Sequence, residues 1–275
     1  LNNIFSDVLK KINFSDCNSV MVQGDTATSL AVALSAFNQK KKIIYIESGL
    51  RSYDFEHPYP EEGYRQLIAR IADYNFCPTS ISKINLLNEN ILGKSFVVGN
   101  TALDNLLDIK KNAKYKNIVP VTLHRRENLK YIDEWFKNLN IIAQQNQDLE
   151  FILPLHANPL IKKYKNLLNK LKILNNLNHS DFLKLLKDAK FIITDSGGIQ
   201  EEGSFLNKKV IVCRKKTERP EGITSGHLII CKSPNSLHSK VNLVKNDFKI
   251  AKKCPYGDGH SSKKIVKILK LKGLL

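Results

Sequence analysis

Short runs of apolar and β-branched residues alternate along this chain with longer stretches of helical pattern. The runs fall at 19–23, 43–47, 74–77, 96–98, 118–123, 151–155, 191–194, 210–213 and 228–231. Helical patterns are read at 1–17, 27–39, 61–73, 80–90, 130–145, 158–170, 180–189, 198–206 and 261–272. A strand that is apolar along its whole length is buried on both faces, and such strands joined by helices form parallel sheets. The expected class is therefore α/β, with two Rossmann-like domains facing a cleft. The first half is read as 1–112, the second as 113–255, with the break in the polar segment 108–116. Residues 256–275 read as a C-terminal helix packing back on the first half. Ligands of open α/β sheets bind beyond the carboxyl ends of the strands, so polar residues at those ends are the candidates for chemistry.

Composition narrows the class. With 275 residues and 42% hydrophobic content, the chain can bury two modest cores. No apolar stretch approaches the roughly 18 residues of a membrane span, and no signal peptide is visible. The five cysteines (17, 77, 213, 231, 254) form no Cys-x-x-Cys pair, which points to reduced thiols in a cytoplasm and to neither a disulfide framework nor a metal site. The net charge of +17 comes mainly from lysines spread through helices without interleaved aromatics. That is the pattern of a solvated surface, not of a nucleic-acid site.

Several polar clusters follow the apolar runs. Asp195-Ser-Gly-Gly-Ile-Gln-Glu-Glu202 comes straight after a buried strand. Two glycines opening a helix let backbone N–H groups approach a phosphate at the positive end of the helix dipole. Ser196 is positioned either to cap that helix or to donate to a ligand. Asp25 beside Gly24 is a helix cap or a site carboxylate; Glu61 and Glu62 complement a helix dipole or act in a site. Glu47 and Arg51 form an ion pair or face a ligand, and His124, Arg125, Arg126 and His156 follow strands of the second half. Acid in the first half and anion-binding groups in the second suit a sugar diphosphate: carboxylates for proton transfer, Arg, His and N–H groups for the phosphates.

The ordered set of motifs resembles the non-hydrolysing UDP-N-acetylglucosamine 2-epimerases. It comprises Gly24-Asp-Thr26, Glu47-Ser-Gly-Leu-Arg51, Pro60-Glu-Glu62 with Arg65, Gly99-Asn-Thr101, His124-Arg-Arg-Glu-Asn128, the 195–202 turn, Thr217-Glu-Arg-Pro220 and Tyr256-Gly-Asp-Gly259. The resemblance implies a glycosyltransferase-B-like fold, no cofactor, no metal, and a homodimer in the cytoplasm supplying precursors for surface polysaccharide. It implies interconversion of UDP-GlcNAc and UDP-ManNAc by elimination and re-addition of UDP through a 2-acetamidoglucal. By motif position, Asp25, Glu47 and Glu61 are the expected carboxylates around the sugar, with His124 at the diphosphate. Arg51, Ser196, Gly197, Gly198, Glu202 and Arg219 are the expected substrate contacts, with Phe182 near the uracil. Glu62, Arg126 and His156 are the expected contacts of a second UDP-GlcNAc acting as activator. The family's usual opening strand and Gly-Thr-Arg-Pro-Glu turn do not precede Asp25, so the first domain is expected to be incomplete. A UDP-sugar-binding remnant without turnover, a hydrolysing epimerase and a glycosyltransferase of similar fold stand beside the main reading.

Overall fold

The computed structural model describes residues 2–155, 163–174 and 177–275. By contact the chain divides into two compact units, Leu1–Asp104 with Tyr256–Leu275, and Asn105–Pro255.

The first unit carries a four-stranded parallel sheet in sequential order, β1 (Ser19–Gln23), β2 (Lys42–Ile46), β3 (Tyr74–Cys77) and β4 (Lys94–Val97). Alternation along β2 sorts its side chains between two cores. Ile43 and Tyr45 pack with residues of α2 (Ala27–Asn38) and α3 (Glu61–Ile71), among them Leu30, Ile68 and Ala69. Ile44 faces the other way, with Phe76, Val98 and, from the C-terminal helix, Ile265 and Leu269. That last helix returns to the unit through two N–H groups, of Ser261 and Ser262, that donate to the Asp104 carboxylate at 2.9 and 2.7 Å. The first helix, α1 (Asn2–Lys11), is shorter than the 1–17 expected. Past it, Asn13 accepts the Ser15 N–H at 3.0 Å, and the Gln39 side chain takes both Phe14 N–H and Ile12 C=O. Short polar side chains here offer the backbone partners that compete with a helix.

The second unit holds a six-stranded parallel sheet in the order β10-β9-β8-β5-β6-β7. Its strands are β5 (Ile118–Thr122), β6 (Glu150–Pro154), β7 (Lys172–Leu174), β8 (Ile192–Thr194), β9 (Val210–Val212) and β10 (Leu228–Ile230). The chain lays β6 and β7 to one side of β5, then returns to place β8 on the other side. The strand order therefore reverses between β5 and β8, the place where open sheets leave a ligand crevice. The buried core includes Trp135, Phe136, Leu139 and Ile142 of α7 (Ile132–Gln145) packed with Phe151 and Phe191. Helices α5 (Leu107–Lys111) and α11 (Leu237–Asn246) and strand β7 were not expected from the sequence. Within the expected helix 158–170, the described residues 163–170 include a 3-10 turn at Lys165–Leu167; residues 156–162 lie outside the described set.

The units part between Asp104 and Asn105, upstream of position 112. The intervening stretch already packs on the second unit: Lys110 Nζ lies 4.2 Å from the Phe205 ring centroid, and Lys114 N–H bonds the Lys187 carbonyl at 3.1 Å. Among the described residues no helix is long and apolar enough to cross a membrane.

Lys208 is fully buried in the second unit, with Nζ bonded to the Lys114 carbonyl and 4.0 Å from the Tyr115 ring centroid. Burial, opposed weakly by the Asp188 charge, pulls its pKa down to about 8. A depressed lysine means that the unfolded chain binds more protons between the two pKa values, so stability rises with pH in that window. Wild-type chain should gain roughly 5–10 °C in melting temperature between pH 8 and pH 10.5 relative to Lys208→Met, as read by paired thermal melts.

Candidate active site

Polar residues of the first unit gather where β1 and β2 end. Gly24 adopts φ +71°, which turns the chain directly after β1, and its N–H bonds the Ile46 carbonyl at 3.2 Å. Thr26 caps α2 by accepting the Ser29 N–H at 3.1 Å. Asp25 is therefore not spent on the cap; its carboxylate is 29% exposed and bonded by the buried Arg65 guanidinium. Glu47 sits at φ +67° just past β2, and its Oε2 lies 3.9 Å from where a Cβ on Gly24 would be. The Glu47 carboxylate thus lies over Gly24, next to Asp25. Glu61 opens α3 one helical turn before Arg65, on the same face. One of its oxygens, Oε2, is buried with no hydrogen-bond partner among the described residues.

Two expected site residues also make structural contacts. Arg51 is buried, with Nε and Nη2 bidentate on Glu89 at 2.7 and 2.8 Å and Nη1 on the Leu50 carbonyl at 2.8 Å. Its donors brace the loop after β2 and go to Glu89 and the Leu50 carbonyl. Glu62 is fully buried. It accepts from Ser52 N–H and Oγ, Tyr53 N–H and Gln66 Nε2, and lies 3.3 Å from Arg65 Nη1. Both of its oxygens are engaged inside the unit, where it positions Arg65 and the 52–53 loop.

In the second unit the site forms at the β5/β8 reversal. Thr122 and Thr194 hydroxyls bond each other at 2.6 Å, and Asp195 N–H bonds the Thr122 carbonyl at 3.1 Å. The fully buried Asp195 carboxylate accepts His124 N–H and Arg125 N–H, both at 2.9 Å, and Asn128 Nδ2 at 3.0 Å. His124 Nδ1 lies 3.4 Å from the same group. The loop after β5 is thus clamped beside the turn after β8.

That turn begins α9 (Gly197–Phe205). Ser196 occupies the N-cap position, yet its side chain makes no capping bond. Its hydroxyl and the first-turn N–H groups, which no helix satisfies internally, remain available to a ligand. A Cβ on Gly197 would lie 2.8 Å from Arg219 Nη1, so the guanidinium is seated directly behind the turn, whereas a Cβ on Gly198 would meet nothing within 4 Å. Arg219 is held there by Glu201 and Glu218, and Glu218 also takes Arg214 Nη1 at 3.0 Å. Burial raises the Glu201 pKa, against the lowering by Arg219. Glu202 is near the surface, 3.2 Å from His179 Nε2, and the half-buried Phe182 belongs to the same helix as His179, α8 (His179–Asp188). Arg126 is exposed. Arg125 beside it is half-buried, and burial together with the Arg214 charge lowers its pKa. His156 lies outside the described residues.

Arg65 organises the polar cluster of the first unit, and Asp195 and Asn128 that of the second; none was singled out as a site residue from the sequence. A signal existed for two of them: the Glu61–Arg65 spacing on one helix face, and an ionisable residue straight after a fully apolar strand. Among the described residues no group of three or more His, Cys, Asp or Glu side chains is arranged to hold a metal ion.

A family model for UDP-N-acetylglucosamine 2-epimerase matches residues 3–270. The UDP-N-acetylglucosamine 2-epimerase of Salmonella borreze is 37% identical over 282 residues, covering 90% of this chain and 74% of that protein. The corresponding Campylobacter jejuni enzyme is 36% identical over 92% of this chain and 74% of its own length. The crystal structure of the Neisseria meningitidis UDP-GlcNAc 2-epimerase bound to UDP-GlcNAc superposes with a TM-score of 0.88 at 31% identity, over 98% of this chain and 81% of that one. That of the Methanocaldococcus jannaschii enzyme, in complex with UDP-GlcNAc and UDP, gives 0.81 at 33% identity over 98% and 80%.

The clamp and the site carboxylates should separate in unfolding experiments. Asp195→Ala strands the donors that converge on it and should lose about 3 kcal/mol in urea melts. Glu61→Gln, which removes charge from a partnerless oxygen, should change stability by less than about 0.5 kcal/mol.

Proposed function

This chain belongs to the UDP-N-acetylglucosamine 2-epimerase family, and from that premise we propose that it inverts C2 of UDP-GlcNAc to give UDP-ManNAc. The observation that carries the reading is the turn at 195–198, where a buried carboxylate clamps the flanking loop and leaves Ser196 and the first-turn N–H groups unspent. That arrangement suits a diphosphate, with the Arg219 charge behind the glycines strengthening the field. Ser196, Gly197 and Gly198 hold the phosphate, and His124, oriented by Asp195, meets the diphosphate oxygens. Glu202 accepts the ribose hydroxyls, and Phe182 packs against the base.

The carboxylates of the first unit handle the sugar. One of Asp25, Glu47 and Glu61 takes the C2 proton; the C1–O bond to UDP then breaks, leaving the 2-acetamidoglucal and UDP. Reprotonation of C2 from the opposite face and return of UDP oxygen to C1 complete the inversion with no net change in atoms or charge. The Glu47 carboxylate over Gly24, and the Arg65 guanidinium bonded to Asp25, support this division of labour. The product would enter synthesis of surface polysaccharide. Family membership also supports a homodimer working in the cytoplasm, and a second UDP-GlcNAc as activator; Arg126 and His156 remain its proposed contacts.

Proton NMR of the chain with UDP-GlcNAc in D₂O tests the proposal. Deuterium at C2 together with UDP-ManNAc signals is expected. Free ManNAc and UDP would replace the reading with a hydrolase, and bound UDP-GlcNAc without exchange would replace it with a binding remnant. Asp25→Asn should slow C2 exchange at least about 10²-fold and leave UDP affinity within about twofold.

A further inference from the structure

Gln200 is fully buried near the start of α9, and both ends of its side-chain amide are engaged. Nε2 donates to the Ser196 carbonyl at 3.2 Å, and Oε1 accepts the Thr217 hydroxyl at 2.7 Å. Thr217 Oγ1 in turn accepts the Arg219 N–H at 3.2 Å. The network admits the amide only this way round. Turned over, it would set Oε1 against the Ser196 carbonyl, two acceptors with no proton between them. A directed row of hydrogen bonds thus runs from Arg219 through Thr217 and Gln200 to Ser196.

The row ends on the two residues that frame the turn. Ser196 has its N–H on Thr194 Oγ1 at 3.0 Å and its carbonyl on Gln200. Its backbone is pinned from both sides, while its hydroxyl makes no capping bond. At the other end, Arg219 carries the guanidinium that lies behind Gly197. Filling this space does not call for polar side chains. Met and Val have nearly the outlines of Gln and Thr and bury no group that must be matched. A matched buried pair adds only modestly to stability; what it supplies besides is a fixed orientation.

We propose that Gln200 and Thr217 are positioning residues of the diphosphate site: their hydrogen bond sets the spacing between Ser196 and Arg219, so that the hydroxyl and the guanidinium charge act on the same phosphate. Neither Gln200 nor Thr217 touches the ligand in this role. The proposal rests on the reading of the 195–198 turn as the place where the diphosphate binds.

Calorimetric titration with UDP, paired with thermal melts, is the test. The double variant Gln200→Met with Thr217→Val removes both partners of the bond and should melt within about 4 °C of wild type. Its dissociation constant for UDP should nevertheless rise about tenfold. Gln200→Met alone and Thr217→Val alone should each weaken UDP binding about as much as the double variant, because either one breaks the row. Thr217→Ser keeps the hydroxyl and should bind UDP within about twofold of wild type. A folded double variant that binds UDP as tightly as wild type would overturn the proposal, as would a loss in Thr217→Ser equal to that in Thr217→Val. A double variant that fails to fold would overturn it too, by assigning the pair to the fold and not to the site. If wild type itself binds no UDP, the diphosphate reading of the turn fails first and takes this proposal with it.

Discussion

The Asp195 carboxylate is fully buried where β8 ends, and the N–H groups of His124 and Arg125 and the amide of Asn128 converge on it from the loop after β5. A buried charge is tolerable only when its lone pairs are filled, so this contact fixes the loop as firmly as the loop satisfies the charge. The strand order supplies the reason it can form. β5 and β8 are neighbours although the chain visits β6 and β7 between them. The imidazole, the Ser196 hydroxyl and the open glycine turn all take their positions from this one clamp.

The first unit follows the same division between buried and accessible charge. Glu62 and the Arg51 side chain are fully shielded and filled by protein partners, while Asp25 keeps a 29% exposed carboxylate. Glu62 sets Arg65, and Arg65 sets Asp25. A chain of ion pairs thus runs from the core to the partly exposed Asp25. Exposure, not charge itself, separates Asp25, proposed to react, from the bracing carboxylate of Glu62.

Much of this was legible in the sequence because it depends on local pattern. The apolar runs locate most of the strands, and the 195–202 turn carries its glycines and its helix start in adjacent positions. What could not be read depends on distant partners. The partner of Arg51 is Glu89, from the end of a later helix, and no spacing in the sequence announces that pair. β7 was missed because it is a short edge strand begun by an exposed lysine and lacks the apolar run of a central strand. Choosing between Arg125 and Arg126 needs the geometry of the loop, since neighbouring residues point apart and only the first is half-buried.

The central claim is that the clamped turn of the second unit is where a nucleoside diphosphate binds. Titration of the ¹⁵N-labelled chain with UDP, followed residue by residue in amide spectra, tests it most directly. The account predicts saturable shifts that are largest at Ser196, Gly197 and Gly198, with His124 and Arg125 moving in step. Saturable binding that leaves those amides unmoved, or no saturable binding of UDP, would contradict it.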